Sequence, residues 1–140
     1  MSTIAVIGTG IGGLYVLPGL ARAGCKVRLH DINESKLADI RARGGVDVEG
    51  DEGAFASIEL ATTDLRAAVE GAEIIIVCSG GNTHGAVAAA LAPLIVDGQL
   101  ILLIQGNTGG SLIFRAALAR SSCRANVDVA EMDNFPYAFR

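Results

Sequence analysis

Three glycines recur close together near the start of the chain, directly after a short apolar run. Gly8, Gly10 and Gly13 follow Ile4-Ala5-Val6-Ile7 with the spacing G-x-G-x-x-G. In such a turn the first glycine permits a tight bend, the second lets a phosphate approach the backbone, and the third lets a helix pack closely on the strand. The start of that helix would also offer free N–H groups and a positive dipole end. The segment therefore predicts a site for the pyrophosphate of a dinucleotide. Its residues are Gly8, Thr9, Gly10, Ile11, Gly12 and Gly13.

A carboxylate closes the second apolar segment, residues 26–31. Asp31 would follow the strand beside the glycine turn, where an acidic residue accepts hydrogen bonds from an adenosine ribose. Because a carboxylate repels a 2′-phosphate, Asp31 favours NAD(H) over NADP(H), although the basic residues Arg28 and Lys36 are not far away in the sequence. The alternative is that Asp31 only caps the helix that begins near Glu34.

A polar loop follows residues 74–77, the densest run of β-branched residues in the chain. Ser79 and Gly80 come directly after the apolar segment that ends at Cys78, and they could run along a bound cofactor with little steric cost. The alternative is an ordinary turn into a helix, with Thr83 as its cap. His84 could act as a general base, but a histidine at the start of a helix is more often a structural or cofactor-edge residue. We expect the Cys78 thiol to be buried and inert.

A second glycine-rich loop, residues 105–110, precedes another helix. It lacks the Lys-Ser/Thr pair of a phosphate-binding P-loop, so an NTPase is excluded. Asn107 could contact the nicotinamide half of a dinucleotide, and a plain turn is an equal alternative. Further on, Glu131 and Asp133 could form a carboxylate pair, but nothing else supports acid–base hydrolysis. The sequence assigns no catalytic residue and no metal ligand.

Strand and helix signals alternate along the chain. The predicted strands are residues 3–7, 26–31, 73–78, 99–104 and 126–130. The predicted helices are residues 11–23, 34–43, 65–70 with Asp64 as N-cap, 84–96 and 111–121. Two alternating segments, 46–49 and 55–60, predict a hairpin around residues 50–53. The pattern indicates one domain over residues 1–140: an α/β, doubly wound Rossmann fold with a mostly parallel sheet and a small hairpin insertion.

Composition narrows the function classes further. Half of the 140 residues are hydrophobic (51%) and the formal net charge is −4, which gives no support to nucleic-acid or membrane-surface binding. Three widely spaced cysteines without a C-x-x-C pair argue against a disulfide framework or a zinc site. With no secretory leader and no run of about 20 apolar residues, we expect a cytoplasmic protein.

Several segments together resemble the N-terminal domain of octopine/nopaline-type opine dehydrogenases. The shared segments are Ile4-Ala5-Val6-Ile7-Gly8-Thr9-Gly10, Thr83-His84, Leu91-Ala92-Pro93-Leu94, Gly98-Gln99, Asn107-Thr108-Gly109-Gly110-Ser111-Leu112-Ile113-Phe114 and Glu131-x-Asp133-x-x-Pro136-Tyr137-Ala138-x-Arg140. The glycine pattern is shared by many families, whereas the Gly-Gly-x-Leu-x-Phe segment and the closing Pro-Tyr-Ala-x-Arg are much more specific. Two positions depart from the family's usual residues: Gln105 stands in place of proline and Met132 in place of threonine.

The resemblance implies an activity as well as a fold. Opine dehydrogenases reductively condense an amino acid with a 2-oxo acid and use NAD(P)H as the hydride donor. By resemblance, Gly8, Gly10 and Gly13 hold the pyrophosphate, Asp31 holds the ribose, and the loops after Cys78 and Ile104 hold the nicotinamide half. The family's second, helical domain supplies its catalytic His–Asp pair. That domain should begin after Arg140, so this chain alone is expected to bind cofactor without turnover.

Other classes of protein also fit these sequence features. Ketopantoate reductases and glycerol-3-phosphate dehydrogenases begin with similar folds, and a free-standing nucleotide-binding module would show the same glycine turn. The amino acid and 2-oxo acid would bind only with a second domain. An apolar surface left exposed where that domain packs could drive homo-oligomer formation.

Overall fold

A computed structural model describes residues 1–48 and 55–134. The strands in these ranges are β1 (Thr3–Ile7), β2 (Lys26–His30), β3 (Gly45–Asp47), β4 (Phe55–Ser57), β5 (Leu60–Thr62), β6 (Ile74–Val77), β7 (Leu100–Leu103) and β8 (Asp128–Glu131). The α-helices are α1 (Ile11–Arg22), α2 (Glu34–Arg43), α3 (Leu65–Val69), α4 (His84–Leu91) and α5 (Gly110–Arg120), and Gly81–Thr83 forms a single 3-10 turn. None of these helices is long and apolar enough to cross a bilayer.

Six of the strands form one parallel sheet in the order β5-β2-β1-β6-β7-β8. The chain builds outward from β1 in one direction through β2 and β5, and then in the other direction through β6, β7 and β8. The order therefore reverses between β1 and β6, and the crevice outside the carboxyl ends of strands at such a reversal is where open α/β sheets bind ligands. The predicted Rossmann fold is confirmed.

Helices cover both faces of the sheet and divide the core in two. On one face Phe114 of α5 and Leu91 of α4 pack with Ile75, Ile101 and their neighbours. On the other face α1 and α2 pack on alternate residues of β1 and β2, including Leu29. Because the central strands are buried on both sides, they are continuous apolar runs rather than alternating ones.

The hairpin region differs from the prediction. Residues 55–60 were expected to form one strand of the hairpin, but only β4 pairs with β3, with Val46 opposite Ala56. The next strand, β5, lies at the edge of the parallel sheet, with Ala61 opposite Leu29. The prediction of a single strand is wrong because the chain leaves the hairpin and enters the sheet within two residues: the N–H of Ile58 bonds to Gly44 and that of Glu59 bonds to Val27. The predicted turn of the hairpin lies outside the described residues.

The helix boundaries follow local chemistry. Helix α2 spans the predicted residues, with Asn33 accepting the N–H of Ser35 at its start and Gly44 in the left-handed region (φ 72°) at its end. Helix α4 was predicted to continue to residue 96 but ends at Leu91, two residues before Pro93, because proline has no N–H to donate to the carbonyl four residues back. Helix α1 continues through Pro18 without a break.

Asp64 is the predicted N-cap of α3, and the structure confirms it. Its Oδ1 accepts the backbone N–H of Arg66 at 2.9 Å and that of Ala67 at 3.3 Å. Helix α3 has only five residues, so it contributes few hydrogen bonds of its own and depends on this cap and on packing.

We expect Asp64→Ala to lower the free energy of unfolding by about 1 kcal/mol, the usual cost of losing an N-cap. Urea denaturation followed by circular dichroism measures this change. Asp64→Asn keeps an acceptor oxygen at the cap and should retain most of the stability. Equal losses in the two variants would contradict the capping role.

Candidate dinucleotide site

The glycine turn lies at the carboxyl end of β1 and is fastened to β2. Gly8 has a φ of +105°, in the left-handed region where side chains are strained, and its N–H donates to the carbonyl of His30 at 2.8 Å. The carbonyl of Gly8 lies directly against Gly13 on the first turn of α1, where a Cβ would overlap that oxygen. The absence of side chains at these two positions is therefore what lets α1 begin so close to β1.

Gly10 has a different role, since it faces open space. A Cβ built there would meet nothing within 4 Å, so the backbone allows alanine as far as the protein's own atoms are concerned. Gly10 is also the N-cap residue of α1; no side chain among the described residues caps the helix, and its first turn carries no acidic residue. The N–H groups and positive dipole end of α1 thus remain available to an anion that approaches over Gly10.

Asp31 is buried at the carboxyl end of β2, with 8% of its surface exposed. Its Oδ2 accepts the backbone N–H of Thr9 at 2.8 Å and the Thr9 hydroxyl at 2.5 Å, and its Oδ1 accepts the N–H of Asn33 at 2.9 Å. Burial opposes ionisation of Asp31, but the bonds from Thr9 and Asn33 and the charge of Lys36 lower its pKa overall. Asp31 is therefore a carboxylate that holds the glycine turn. The alternative that it caps α2 is wrong, because the N-cap of that helix is Asn33.

The two basic residues near Asp31 differ in their surroundings. Lys36 is half exposed, and its Nζ lies 3.7 Å from Asp31 Oδ2. Arg28 points to the other end of the sheet, where it bonds to the Glu59 carboxylate at 2.9 Å and to the carbonyl of Glu70 at 2.5 Å. Lys36 is therefore the basic residue placed beside Asp31, and Arg28 is engaged elsewhere.

The loop after β6 is organised around a buried histidine. His84 is fully buried; its Nε2 lies 3.2 Å from the carbonyl oxygen of Ser79, and its ring meets Phe114 edge-on. The hydroxyl of Thr83 donates to the carbonyl of Gly80 at 2.7 Å and does not cap the helix. Direct contact of a cofactor with His84 stays a prediction, because the ring has no exposed surface and reaches the loop through Ser79.

The loop after β7 is held by a residue that the sequence did not single out for this purpose. Glu131, at the end of β8, accepts the N–H of Gly109 at 2.9 Å and that of Ser111 at 2.6 Å. These bonds from the start of α5, that of Ser111 first, lower the pKa of Glu131. Inside this loop Asn107 and Thr108 both have positive φ, 49° and 55°, so a strained turn is fixed by a carboxylate some twenty positions away.

The remaining candidates are placed as follows. Asn107 is exposed at the tip of the second loop, and Thr108 donates to Asp133 at 3.3 Å. The carboxylates of Glu131 and Asp133 thus both accept hydrogen bonds from the loop. Burial raises the pKa of the Cys78 thiol to about 12, in agreement with an inert side chain. Residues 1–48 and 55–134 contain no cluster of His, Cys, Asp and Glu that could hold a metal.

Sequence comparison identifies the family. A model of the family described as ketopantoate reductase PanE/ApbA matches residues 4–127, which include the glycine turn, Asp31 and both loops. The chain belongs to the ketopantoate reductase PanE/ApbA family. It is also 35% identical to an opine dehydrogenase of Arthrobacter sp. (strain 1C) over 139 residues, which cover 99% of this chain and 38% of the relative.

Solved structures agree with this assignment of the fold. Octopine dehydrogenase in complex with NADH and agmatine superposes with a TM-score of 0.80 at 22% identity, over 99% of this chain and 36% of the other. A PanE/ApbA family ketopantoate reductase of Ralstonia eutropha JMP134 superposes with a TM-score of 0.70 at 25% identity, over 91% of this chain and 40% of the other. The chain thus spans well under half the length of these three proteins.

The comparisons confirm the predicted resemblance to the N-terminal domain of opine dehydrogenases. The ketopantoate reductase-like alternative describes the same type of domain. This chain matches the PanE/ApbA family model and also has an opine dehydrogenase as a relative. The more specific closing segment, Pro136-Tyr137-Ala138-x-Arg140, lies outside the described residues.

Gly13→Ala should destabilise this PanE/ApbA domain strongly, by about 1–3 kcal/mol or more, because its Cβ would overlap the Gly8 carbonyl and force α1 away from β1. Gly10→Ala is the matched control, since it adds the same methyl group in open space and should change the stability by about 0.5 kcal/mol or less. Thermal denaturation of both variants gives the comparison. A Gly13→Ala variant as stable as Gly10→Ala would show that the close approach is not required.

Glu131→Gln should loosen the start of α5, because it removes the charge and turns one acceptor oxygen into a donor that faces an N–H. Amide hydrogen exchange at Gly109 and Ser111, corrected for intrinsic rates, should accelerate tenfold or more. Since the pKa of Glu131 is lowered in the folded chain, its stabilisation is complete at neutral pH and is lost as the pH falls below the ordinary glutamate range. Glu70→Gln, on an exposed side chain, is the control. Unchanged exchange in Glu131→Gln would show that the Glu131 carboxylate does not hold the start of α5.

Proposed function

We propose that this chain binds a nicotinamide dinucleotide, NAD(H) in preference to NADP(H), and forms the cofactor half of an enzyme that reductively condenses an amino acid with a 2-oxo acid. The observation that carries the proposal is the glycine turn fastened to a buried carboxylate at the reversal point of the sheet. The bound cofactor would supply the hydride for the reaction. The residues of this chain bind and orient that cofactor.

The pyrophosphate fits over Gly10. The space beyond its Cα is open, and the free N–H groups and positive dipole end of α1 point into it. Thr9, Ile11 and Gly12 complete the turn. The backbone of Thr9 is already fixed by Asp31, so the donors are held before the ligand arrives and little conformational entropy is lost on binding.

The preference for NAD(H) rests on the charge of Asp31. Its lowered pKa keeps it ionised at neutral pH, and a 2′-phosphate next to an ionised carboxylate is repelled. Lys36 offsets part of that repulsion, because its ammonium group lies 3.7 Å from the same carboxylate. The preference is therefore expected to be moderate, on the order of tenfold, rather than absolute.

The nicotinamide half fits the two remaining loops. Ser79 and Gly80 follow β6, which pairs with β1, and Asn107 follows β7, the next strand beyond β6. A cofactor that extends from the glycine turn along the carboxyl ends of the strands would cross them in that order. His84 supports this surface from below through the Ser79 carbonyl. Octopine dehydrogenase, whose structure contains NADH and agmatine, has the same fold at a TM-score of 0.80, which supports a nicotinamide dinucleotide as the ligand.

The substrates are inferred from the relatives. The curated relative is an opine dehydrogenase, and solved octopine dehydrogenases contain NADH together with arginine, agmatine or pyruvate. We infer an amino acid or amine and a 2-oxo acid as the substrate classes. No residue of the described ranges is assigned to proton transfer. A free-standing nucleotide-binding module is the second candidate.

Titration of the chain with NADH should give saturable binding, with NADPH about tenfold weaker. Asp31→Ala should weaken NADH tenfold or more, because it removes both the ribose acceptor and the anchor of the glycine turn. Isothermal titration calorimetry measures both ligands, and Asp128→Ala, at the amino edge of the sheet, is the control that should leave affinity unchanged.

Two results would contradict the proposal in different ways. Non-saturable binding of NADH would overturn the cofactor function as a whole. Unchanged affinity in a folded Asp31→Ala variant would show that the ribose assignment is wrong, while the pyrophosphate site over Gly10 would stand.

A further inference from the structure

The buried carboxylate of Asp31 has a limited number of acceptor positions, and the protein already uses most of them. A carboxylate has about four lone-pair directions, two on each oxygen. Thr9 fills both directions of Oδ2, one with its backbone N–H and one with its hydroxyl, and Asn33 fills one direction of Oδ1. Among the described residues one acceptor position therefore remains for a ligand, and it is on Oδ1.

The groups around Asp31 Oδ2 further restrict the access of a ligand to that oxygen. Thr9 is itself buried, with 6% of its surface exposed, so its hydroxyl cannot easily turn away into solvent. The ammonium group of Lys36 lies 3.7 Å from the same oxygen, beyond hydrogen-bond distance but close enough to stabilise its charge. A ligand hydroxyl would have to displace the Thr9 hydroxyl to reach Oδ2.

We propose that Thr9 is a positioning residue that fixes Asp31 so that it accepts a hydrogen bond from one ribose hydroxyl rather than from both. A carboxylate free of protein contacts could bind the 2′- and 3′-hydroxyls with one oxygen each. Here the Thr9 hydroxyl occupies the place of the second ribose hydroxyl. The proposal rests on the dinucleotide function proposed above and deepens it, because it states how the adenosine ribose is recognised.

The test compares ADP with 2′-deoxy-ADP and 3′-deoxy-ADP by isothermal titration calorimetry. With the unchanged chain, one of the two deoxy analogues should bind about tenfold more weakly than ADP, the loss expected for one hydrogen bond to a charged acceptor. The other analogue should bind within about twofold of ADP. Comparable losses for both analogues, or no loss for either, would overturn the proposal.

The Thr9 variants separate positioning from a purely structural role. Thr9→Val has nearly the same shape but releases one acceptor direction of Oδ2, so the difference between the two deoxy analogues should shrink from about tenfold to less than threefold. Thr9→Ser keeps the hydroxyl and should restore the difference. Thr3→Val, at the amino end of β1, makes the same substitution far from Asp31 and should leave all three affinities unchanged.

A thermal denaturation curve accompanies each variant. If Thr9→Val lowers the melting temperature but keeps the tenfold difference between the analogues, Thr9 is only structural and the proposal fails. If neither ADP nor NADH binds saturably to the unchanged chain, the cofactor function fails and this proposal fails with it. Binding of ADP with equal loss for both analogues leaves the cofactor function intact and rejects the role of Thr9 alone.

Discussion

The structure depends on one close approach, where the first turn of α1 lies against the carbonyl of Gly8. If α1 stood farther from β1, the N–H groups at its start would no longer face the open space over Gly10, and the face of the sheet that α1 covers would lose its packing. Glycine at positions 8 and 13 makes the approach sterically possible. The hydrogen bond from Gly8 to His30 and those from Thr9 to Asp31 then fix the turn to the neighbouring strand.

The glycine-rich loops after β1 and β7 are held by the same type of hydrogen bond. The loop after β1 is fastened by Asp31, which follows the adjacent strand β2, and the loop after β7 is fastened by Glu131, which ends the adjacent strand β8. In each case a carboxylate accepts backbone N–H groups of the neighbouring loop. Glycines give a loop freedom that costs conformational entropy to remove, and a carboxylate on the next strand removes it before a ligand binds. Acidic side chains at this edge thus act as anchors.

The fold was largely readable from local sequence, whereas the anchors were not. Strand β1 and helix α2 have the predicted bounds because their apolar run, cap residue and terminal glycine are local signals. Strand β5 was missed because three residues directly after a hairpin carry too little pattern to separate them from it. Glu131 was noticed only as one half of a carboxylate pair, since its partners Gly109 and Ser111 are far away in sequence and meet it only through the parallel pairing of β7 and β8.

Asp31 orders the glycine turn, and in the proposed function it also accepts a hydrogen bond from the adenosine ribose. Because one carboxylate would serve both purposes, a change made to alter cofactor preference would also alter the proposed pyrophosphate site. A neutral residue at position 31 would remove the repulsion of a 2′-phosphate, but it would also leave the buried N–H and hydroxyl of Thr9 without their charged acceptor. Lys36 is different, because its half-exposed ammonium group takes no part in the turn. If the proposed function holds, cofactor preference would therefore be more easily changed from position 36 than from position 31.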